Sequence, residues 1–405
     1  MFNPIPNKSF INKCLRHIVP SSVLIFFTIL ALIFANIPFF KTWYNALWEL
    51  PVSLTVGSFN LFGHGGHALT LGEFVNDFLM AIFFLTVGLE IKREVKNGEL
   101  STREKALLPV IGAFGGMIVP VLLFALICPD EAAATRGMAI PMATDIAFSL
   151  GILAVFKARV PLGLKIFLAA LAVADDLGGI LVIAVCYASD IDMMYLLYAG
   201  ICTGVMILGN VLGCHRKRFY MTAGLVLWYL LLNSGIHATI AGVMTAFCVP
   251  ATREKESGND SPLQLLEHHL YFSINYVVIP LFAFANAGID LSQMTFGTLF
   301  SGVGLAVIAG LVVGKFVGVF CFSWLAVRMK LVQLPVGADW KSFAAVCVVC
   351  GIGFTVSMFI ADLSYSGLGL EGAALLSQAK LGVLCGSVIS AILWCILLNK
   401  TLPKV

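Results

Sequence analysis

Two adjacent aspartates, Asp175 and Asp176, stand in Leu171-Ala-Val-Ala-Asp-Asp-Leu-Gly-Gly179, with almost wholly apolar sequence on both sides. Asp145 follows Ala143-Thr144, Lys315 lies midway along an apolar run at 301–327, and Asp77, next to Asn76, lies in the outer half of another at 71–91. An adjacent Asp pair in a soluble protein reads as a solvated loop, and the apolar flanks argue against that here. An ionisable side chain at the centre of a bilayer costs at least roughly 2.5–3.5 kcal/mol, so these residues are functional candidates. Carboxylate oxygens suit a proton or a hard cation. Neighbouring residues on an α-helix point about 100° apart. Asp175 and Asp176 therefore cannot share one partner symmetrically: one can face a basic group while the other faces an ion. Lys315 is the only basic residue at the same depth.

The elements that carry these residues follow from composition. Of 405 residues, 60% are hydrophobic and only 12% charged, and the mean hydropathy is +0.97. A soluble domain carries about 25% charged residues, so a water-facing surface cannot be built from this chain. The 31 Phe exclude disorder, and there is no collagen-like period. The class is an all-α polytopic membrane protein, a single transmembrane domain over 1–405. A formal charge of +3, spread over short loops, gives no nucleic-acid surface. Most of the 11 Cys lie in apolar runs and read as buried small hydrophobes. The Cys347–Cys350 pair has no flanking zinc or redox pattern.

Apolar runs long enough to cross a bilayer fall near 22–40, 71–91, 106–128, 138–156, 164–188, 193–213, 219–232, 236–249, 268–286, 301–327, 343–363 and 374–398. The first follows a segment with Lys8, Lys13 and Arg16, has no small-residue cleavage site, and reads as an uncleaved span. The runs 219–232 and 236–249 are short and could be one helix broken at Asn233-Ser234-Gly235. Charge decides between the two. With twelve spans and a cytoplasmic N-terminus, 21 of the 25 Lys and Arg fall in cytoplasmic segments. Merging the short runs would put the later basic loops outside. The positive-inside rule favours twelve spans with both ends inside.

Pro51 to Leu61 alternates with a period near two before Gly63-His-Gly-Gly66, so 45–66 is expected to form an external β-hairpin. His64 and His67 read as turn residues rather than metal ligands. Two spans are interrupted: 138–156 at Pro141-Met-Ala-Thr-Asp145, and 343–363 at Gly351-Ile-Gly-Phe-Thr355. Non-helical backbone at this depth is tolerated only where it is buried or lines a cavity. These are the middle members of two triplets, spans 3–5 and 10–12, whose orientations are opposite. That pattern predicts an inverted repeat with its broken helices crossing at the midplane. Gly310, Gly314 and Gly318, with Ala306, form a small-residue row on the Lys315 helix that lets a neighbouring helix approach.

The segments Ala143-Thr-Asp-Ile-Ala-Phe148, Ala172-Val-Ala-Asp-Asp-Leu-Gly-Gly179, Ser234-Gly-Ile-His-Ala-Thr239, Leu281-Phe-Ala-Phe-Ala-Asn-Ala-Gly288 and Gly351-Ile-Gly-Phe-Thr355 closely resemble the NhaA-type sodium/proton antiporters. So does Asn76-Asp-Phe-Leu-Met-Ala-Ile-Phe-Phe-Leu-Thr-Val-Gly-Leu-Glu90 with Lys92-Arg-Glu94. The resemblance runs from about residue 20 to 398. These antiporters are themselves known inverted-repeat transporters, so that agreement adds no independent support. The resemblance implies electrogenic exchange of sodium or lithium for protons across the bacterial inner membrane, activated at alkaline pH. It implies Asp176 as main cation ligand, with Asp175 and Thr144 in the Na+/Li+ set, and a pairing of Asp175 with Lys315. It places Thr144 and Asp145 where the interrupted helix approaches the ion, and Asp77 on the access route. Glu90, Arg93, Glu94, His237, Glu267 and His268 match positions linked to pH response, and the hairpin matches a homodimerisation element. The transported ions and membrane lipid are the expected partners, and no cofactor is expected. One departure is His269-Leu-Tyr271-Phe-Ser273, where the family commonly has His-Pro-Trp; it puts the pH of activation in doubt. Asp362 has no role assignable from sequence.

Enzymatic readings fit poorly. An intramembrane aspartyl protease pairing Asp145 with Asp175 or Asp176 lacks the GxGD context and leaves Lys315 idle. Ser234 and His237 sit in one short turn without a nucleophile elbow. A sodium-coupled symporter of an organic solute shares the expected architecture and is the alternative.

Overall fold

The computed structural model describes residues 20–56, 59–64, 67–128, 132–155, 160–187, 191–251, 261–292, 302–366 and 368–401, and most of them are helical. Lys8, Lys13, Arg16, Lys157, Arg159, Arg253, Lys255 and Lys404, and Asp130, Glu131 and Asp190, lie outside the described residues. So do the side chains of His64, His67 and Lys400.

The first apolar run does not make one straight span. Helix α1 (Pro20–Asn36) turns by 110° into α2 (Pro38–Trp48). Pro38 has no N–H to continue the helical ladder, and it pushes Ile37 into an extended conformation (φ −83°, ψ 121°). Five short strands follow: β1 (Pro51–Val52), β2 (Thr55–Val56), β3 (Phe59–Asn60), β4 (Gly63–His64) and β5 (His67–Thr70). All pair antiparallel, with Pro51 opposite Thr70, Thr55 opposite Asn60, and Gly63 opposite Ala68. The strands therefore reach Thr70 rather than residue 66, and Asn45 to Trp48 are helical.

Thr70 then caps α3 (Leu71–Asn97): its hydroxyl accepts from Glu73 N at 3.2 Å, and Glu73 accepts back from Thr70 N at 2.8 Å. After α4 (Arg103–Ile127) come a short helix, Ala132–Thr135, a 3-10 stretch, Arg136–Met142, and α5 (Ile146–Val155). Next are α6 (Leu162–Cys186), α7 (Met193–Val211), α8 (Lys217–Leu232) and α9 (Ile240–Cys248). The chain continues through α10 (Pro262–Asn286), α11 (Gly302–Arg328), α12 (Trp340–Val349), α13 (Phe354–Tyr365) and α14 (Gly369–Thr401). Ser261 caps α10 in a capping box with Gln264, ahead of Pro262 in the first turn.

Among the described residues, seven helices (α3, α4, α6, α7, α10, α11 and α14) are long and apolar enough to cross a membrane. The number is up to nine if α1 with α2 and α12 with α13 each count as one span. The runs at 138–156, 219–232 and 236–249 form helices of 10, 16 and 9 residues. At about 1.5 Å per residue, none of these crosses a roughly 30 Å hydrocarbon core alone.

Close backbone contact joins α4 to α11. A Cβ on Gly318 would lie 2.2 Å from the Gly115 carbonyl oxygen, so only glycine fits there. The small-residue row thus seats α11 on α4 and carries Lys315 into the interior, where it is fully buried. A π-helical turn, Gly310–Gly314, immediately precedes Lys315, and two more occur at Val75–Leu79 and Ile274–Val278. Such turns often mark functional positions.

Two apolar cores fill the protein. One includes Ile140, Phe282, Leu311, Phe343, Ile352 and Phe359 around the interrupted helices. The other packs Tyr220, Trp228, Ala241 and Leu263 among α8, α9 and α10. Helix α3 serves both, giving Phe84, Val87 and Ile91 to the first and Ala81, Leu85 and Leu89 to the second. The outer surface is apolar too: Leu126 is 82% and Val211 77% exposed, as lipid-facing positions would be.

Candidate ion-binding site

The two interruptions meet. Residues Ala143 to Asp145 are non-helical between the 3-10 stretch and α5, and Cys350 to Gly353 separate α12 from α13, which bend by 44°. Asp145 N donates to the Ile352 carbonyl at 2.7 Å, and Ser357 Oγ donates to the Ile140 carbonyl at 2.8 Å. Each broken segment thus satisfies part of the other's freed backbone. The second break also packs closely on α11, where position 351 requires glycine, because a Cβ there would lie 2.4 Å from the Leu311 carbonyl oxygen.

Asp145 is spent largely on this crossing. Its Oδ2 accepts from Thr355 Oγ1 at 2.6 Å and Thr355 N at 3.1 Å, and its Oδ1 accepts from Phe148 N at 2.9 Å. The carboxylate therefore sits at the N-terminal ends of α5 and α13, where helix dipoles favour negative charge.

Asp175 and Asp176, on α6, face different partners. Lys315 Nζ donates to Asp175 Oδ2 and to the Met142 carbonyl. Thr144 Oγ1 lies 2.7 Å from Asp175 Oδ2 and 2.9 Å from the Cys350 carbonyl oxygen. One hydroxyl proton serves only one of these at a time. Asp176 has no such engagement: its Oδ1 is buried and without a hydrogen-bond partner among the described residues, as is Asp175 Oδ1. A buried acceptor left unpaired carries a desolvation penalty that a proton or a cation would relieve.

Asp176 lines a cavity of about 290 Å³ with Asp145, Thr355, Glu90 and Glu267. A second cavity, of about 830 Å³, is lined by Asp77, Arg136, Met142, Tyr187, His237 and Ser364, among others. Asp77 and Glu90 are 13 residues apart on α3, a rise of about 20 Å at roughly 1.5 Å per residue. The two cavities therefore reach α3 at places about 20 Å apart, and Met142, whose carbonyl accepts from Lys315 Nζ, lines the second.

Of the residues expected to respond to pH, five share one end. Arg93 pairs with Glu267, and its Nη2 lies 3.0 Å from Glu94 Oε1. Glu90 and Glu267 line the Asp176 cavity, and His268 lines a shallow pocket with Arg93 and Glu267. His237 does not join them. It stands in the other cavity, with Nδ1 4.0 Å from Asp77 Oδ1.

The sequence model of the family described as Na+/H+ antiporter 1 matches residues 13–398. The chain belongs to that family. Among its relatives, a Na(+)/H(+) antiporter NhaA of Bacteroides fragilis is 45% identical over 95% of this chain and 96% of its own length. One of Phocaeicola vulgatus is 44% identical over 98% and 97%, and one of Escherichia coli O139:H28 is 46% identical over 92% of each chain. These relatives are named as antiporters, not enzymes, and the apolar helices make this family member a multi-pass membrane protein.

For an antiporter, the site needs oxygens that a proton or sodium can occupy in turn. Asp176 offers a free buried oxygen next to a cavity, whereas Asp175 is held by Lys315 and Thr144. Among the described residues there is no group of three or more His, Cys, Asp or Glu able to hold a resident metal. Sodium is cargo here, and a site that must release it has no need of such a cage. Sequence reasoning missed two features. Thr355 binds Asp145 directly, although the sequence marked it only as part of a break. Lys380 and Asp362 form a second buried ion pair (Nζ–Oδ1 2.8 Å), where sequence reasoning assigned Asp362 no role.

Proposed function

We propose that this antiporter exchanges cytoplasmic sodium or lithium for external protons, electrogenically and under pH control, by alternating access to Asp176. The observation that carries this reading is the unpartnered Asp176 Oδ1 beside its cavity, next to an Asp175 already engaged by Lys315. Carboxylate oxygens at such a site are hard donors that suit sodium or a proton, and not both together. Asp176, Asp175 and Thr144 form the Na+/Li+ set, supported by Asp145 at the crossing. Acidic conditions outside favour the proton, and alkaline conditions inside favour sodium. Rocking of one helix group against the other exposes the site to each side in turn. If more than one proton leaves per cation, exchange moves charge; the Asp175–Lys315 pair is the source of the second.

Twelve spans with both ends in the cytoplasm, in a bacterial inner membrane, are supported by the bias of basic loops and by relatives from bacterial species. The meeting of the interruptions at 143–145 and 351–353 supports an inverted repeat of spans 3–5 and 10–12. Glu90, Arg93, Glu94, Glu267 and His268 then form the cytoplasmic pH-responsive group, with His237 acting from the external cavity beside Asp77. The two-stranded β2–β3 sheet has free edges among the described residues, which supports an external homodimer contact through the hairpin. The exchange needs no cofactor. The names of the relatives disfavour a sodium-coupled symporter of an organic solute.

Everted vesicles with a pH-sensitive dye test the reading. Sodium added alone restores the fluorescence quenched by respiration, and an imposed voltage changes the rate. No restoration by sodium, with sodium uptake that requires an organic co-substrate, would favour the symporter, and indifference to voltage would refute electrogenic exchange.

A further inference from the structure

Lys380, on α14, lies inside an apolar helix and needs a counter-charge. Asp362, on α13, supplies it, and both side chains are almost wholly buried. Lys380 Nζ also donates to Asn286 Oδ1 at 3.1 Å. Asn286, on α10, donates through Nδ2 to Asn76 Oδ1 at 2.8 Å, and Asn76 lies in the π-helical turn of α3. One polar chain therefore ties four helices together, running from Asp362 to the residue before Asp77. In lipid the hydrophobic effect does not drive helices together, so interhelical hydrogen bonds of this kind decide which helix ends stay in contact.

The chain ends at a sensitive place. Asn76 is held by Asn286, and the next carbonyl, that of Asp77, accepts from Trp228 Nε1 at 3.2 Å. The π turn is thus gripped from α10 on one side and α8 on the other, and the Asp77 carboxylate projects into the larger cavity, 4.0 Å from His237. Leu363, Ser364 and Ser366, which follow Asp362, line the same cavity. Among the described residues Asp362 Oδ2 is buried and has no hydrogen-bond partner, so the pair there is held through Oδ1.

We propose that Asp362 and Lys380 are positioning residues for exchange: through Asn286 and Asn76 they fix the π turn of α3 and so set Asp77 on the ion route at that face. This rests on the reading of the Asp77 cavity as one of the two routes to the site. Removing either charge leaves the other buried and unpaired, which displaces it, frees Asn286 and loosens the turn. The consequence falls on the face that Asp77 serves. The Glu90–Glu267 face, about 20 Å away along α3, is not tied to this chain.

The test uses the full-length protein in proteoliposomes, with half-saturating sodium and maximal rate measured separately at each face. Asp362→Asn is expected to raise half-saturating sodium about tenfold at the Asp77 face, with the opposite face and the maximal rate within about twofold of the parent. Asp362→Glu, which keeps the charge, restores most of the difference. Equal shifts at both faces, a fall in maximal rate alone, or an unchanged value in a variant that melts like the parent would overturn the proposal. If Asp362→Asn does not fold, Asp362→Asn with Lys380→Gln removes both charges, and the same one-sided shift is expected. Parental behaviour in that double variant would overturn the proposal too. Asp77→Asn is the reference: if it leaves that face unchanged while the parent exchanges normally, the route fails and the positioning role with it. A parent that does not exchange sodium for protons would refute the functional reading instead.

Discussion

Asp175 and Asp176 are neighbours on one helix, yet Asp175 accepts from Lys315 and Thr144 while Asp176 Oδ1 accepts from nothing among the described residues. The helix's turn of about 100° per residue produces this difference. It divides one pair of identical side chains into a carboxylate engaged by lysine and an available one.

Replacing the available one should stop the exchange. Asp176→Asn keeps the side-chain shape but loses the charge that holds sodium and the oxygen that takes a proton. Sodium-dependent proton movement in vesicles should fall to background, with the melting temperature near that of the parent. Full exchange in this variant would remove the assignment.

Lys315→Ala should act first on stability. Lys315 and Asp175 are both fully buried, and breaking a buried pair by removing one partner costs about 3–5 kcal/mol. A markedly lower melting temperature in detergent is expected, with an altered pH profile in whatever protein still folds. An unchanged melting curve and profile would mean that the pair contributes nothing to either.

Gly351→Ala tests the crossing. Its Cβ would lie 2.4 Å from the Leu311 carbonyl oxygen and 2.6 Å from Ser390 Oγ, and the first of these is backbone. The break at 351 must shift away from α11, and the neighbouring Cys350 and Ile352 carbonyls, which accept from Thr144 Oγ1 and Asp145 N, move with it. Exchange should drop by at least about tenfold, the scale that a misplacement of about 1 Å produces. Parental exchange would show that the contact yields freely.

A surface pair gives a pH signature away from the site. Lys41 Nζ lies 2.6 Å from Asp290 Oδ2, and that hydrogen bond, with help from Ser292, pushes the Asp290 carboxyl down to about 2. A carboxylate held lower in the folded state stabilises the protein above its unfolded value near 3.8, and that contribution is lost as pH falls towards about 2. Both side chains are about a third exposed, so solvent screening limits the effect to roughly 1 kcal/mol or less. Asp290→Asn should show a smaller loss of melting temperature between those two pH values than the parent does. Parallel curves would exclude the linkage.

Much of the site was legible because burial makes it so. Asp145, Asp175, Asp176 and Lys315 stood out as charges in apolar runs, and the proline and glycine clusters marked both interruptions. The turn at Ile37-Pro38 was also visible in principle, since a residue before proline leaves the helical region. Its neighbours' hydrophobicity concealed it, because apolar sequence continues smoothly through a bend. Contacts between distant segments left no local trace. Thr355 on Asp145, and Asn286 between Lys380 and Asn76, join residues 94 to 210 positions apart, and no periodicity reports such a meeting. The same holds for His237, which the resemblance lists with Glu267 among pH-linked positions without saying where it lies, and whose Nδ1 stands 4.0 Å from Asp77 Oδ1.

Calorimetric titration of sodium into the purified protein over a pH series tests the central claim most directly. If proton and sodium compete for Asp176, apparent affinity should weaken about tenfold for each pH unit once the carboxylate protonates, and proton release should accompany binding. Sodium binding with undiminished affinity at acidic pH, and no proton release, would contradict it.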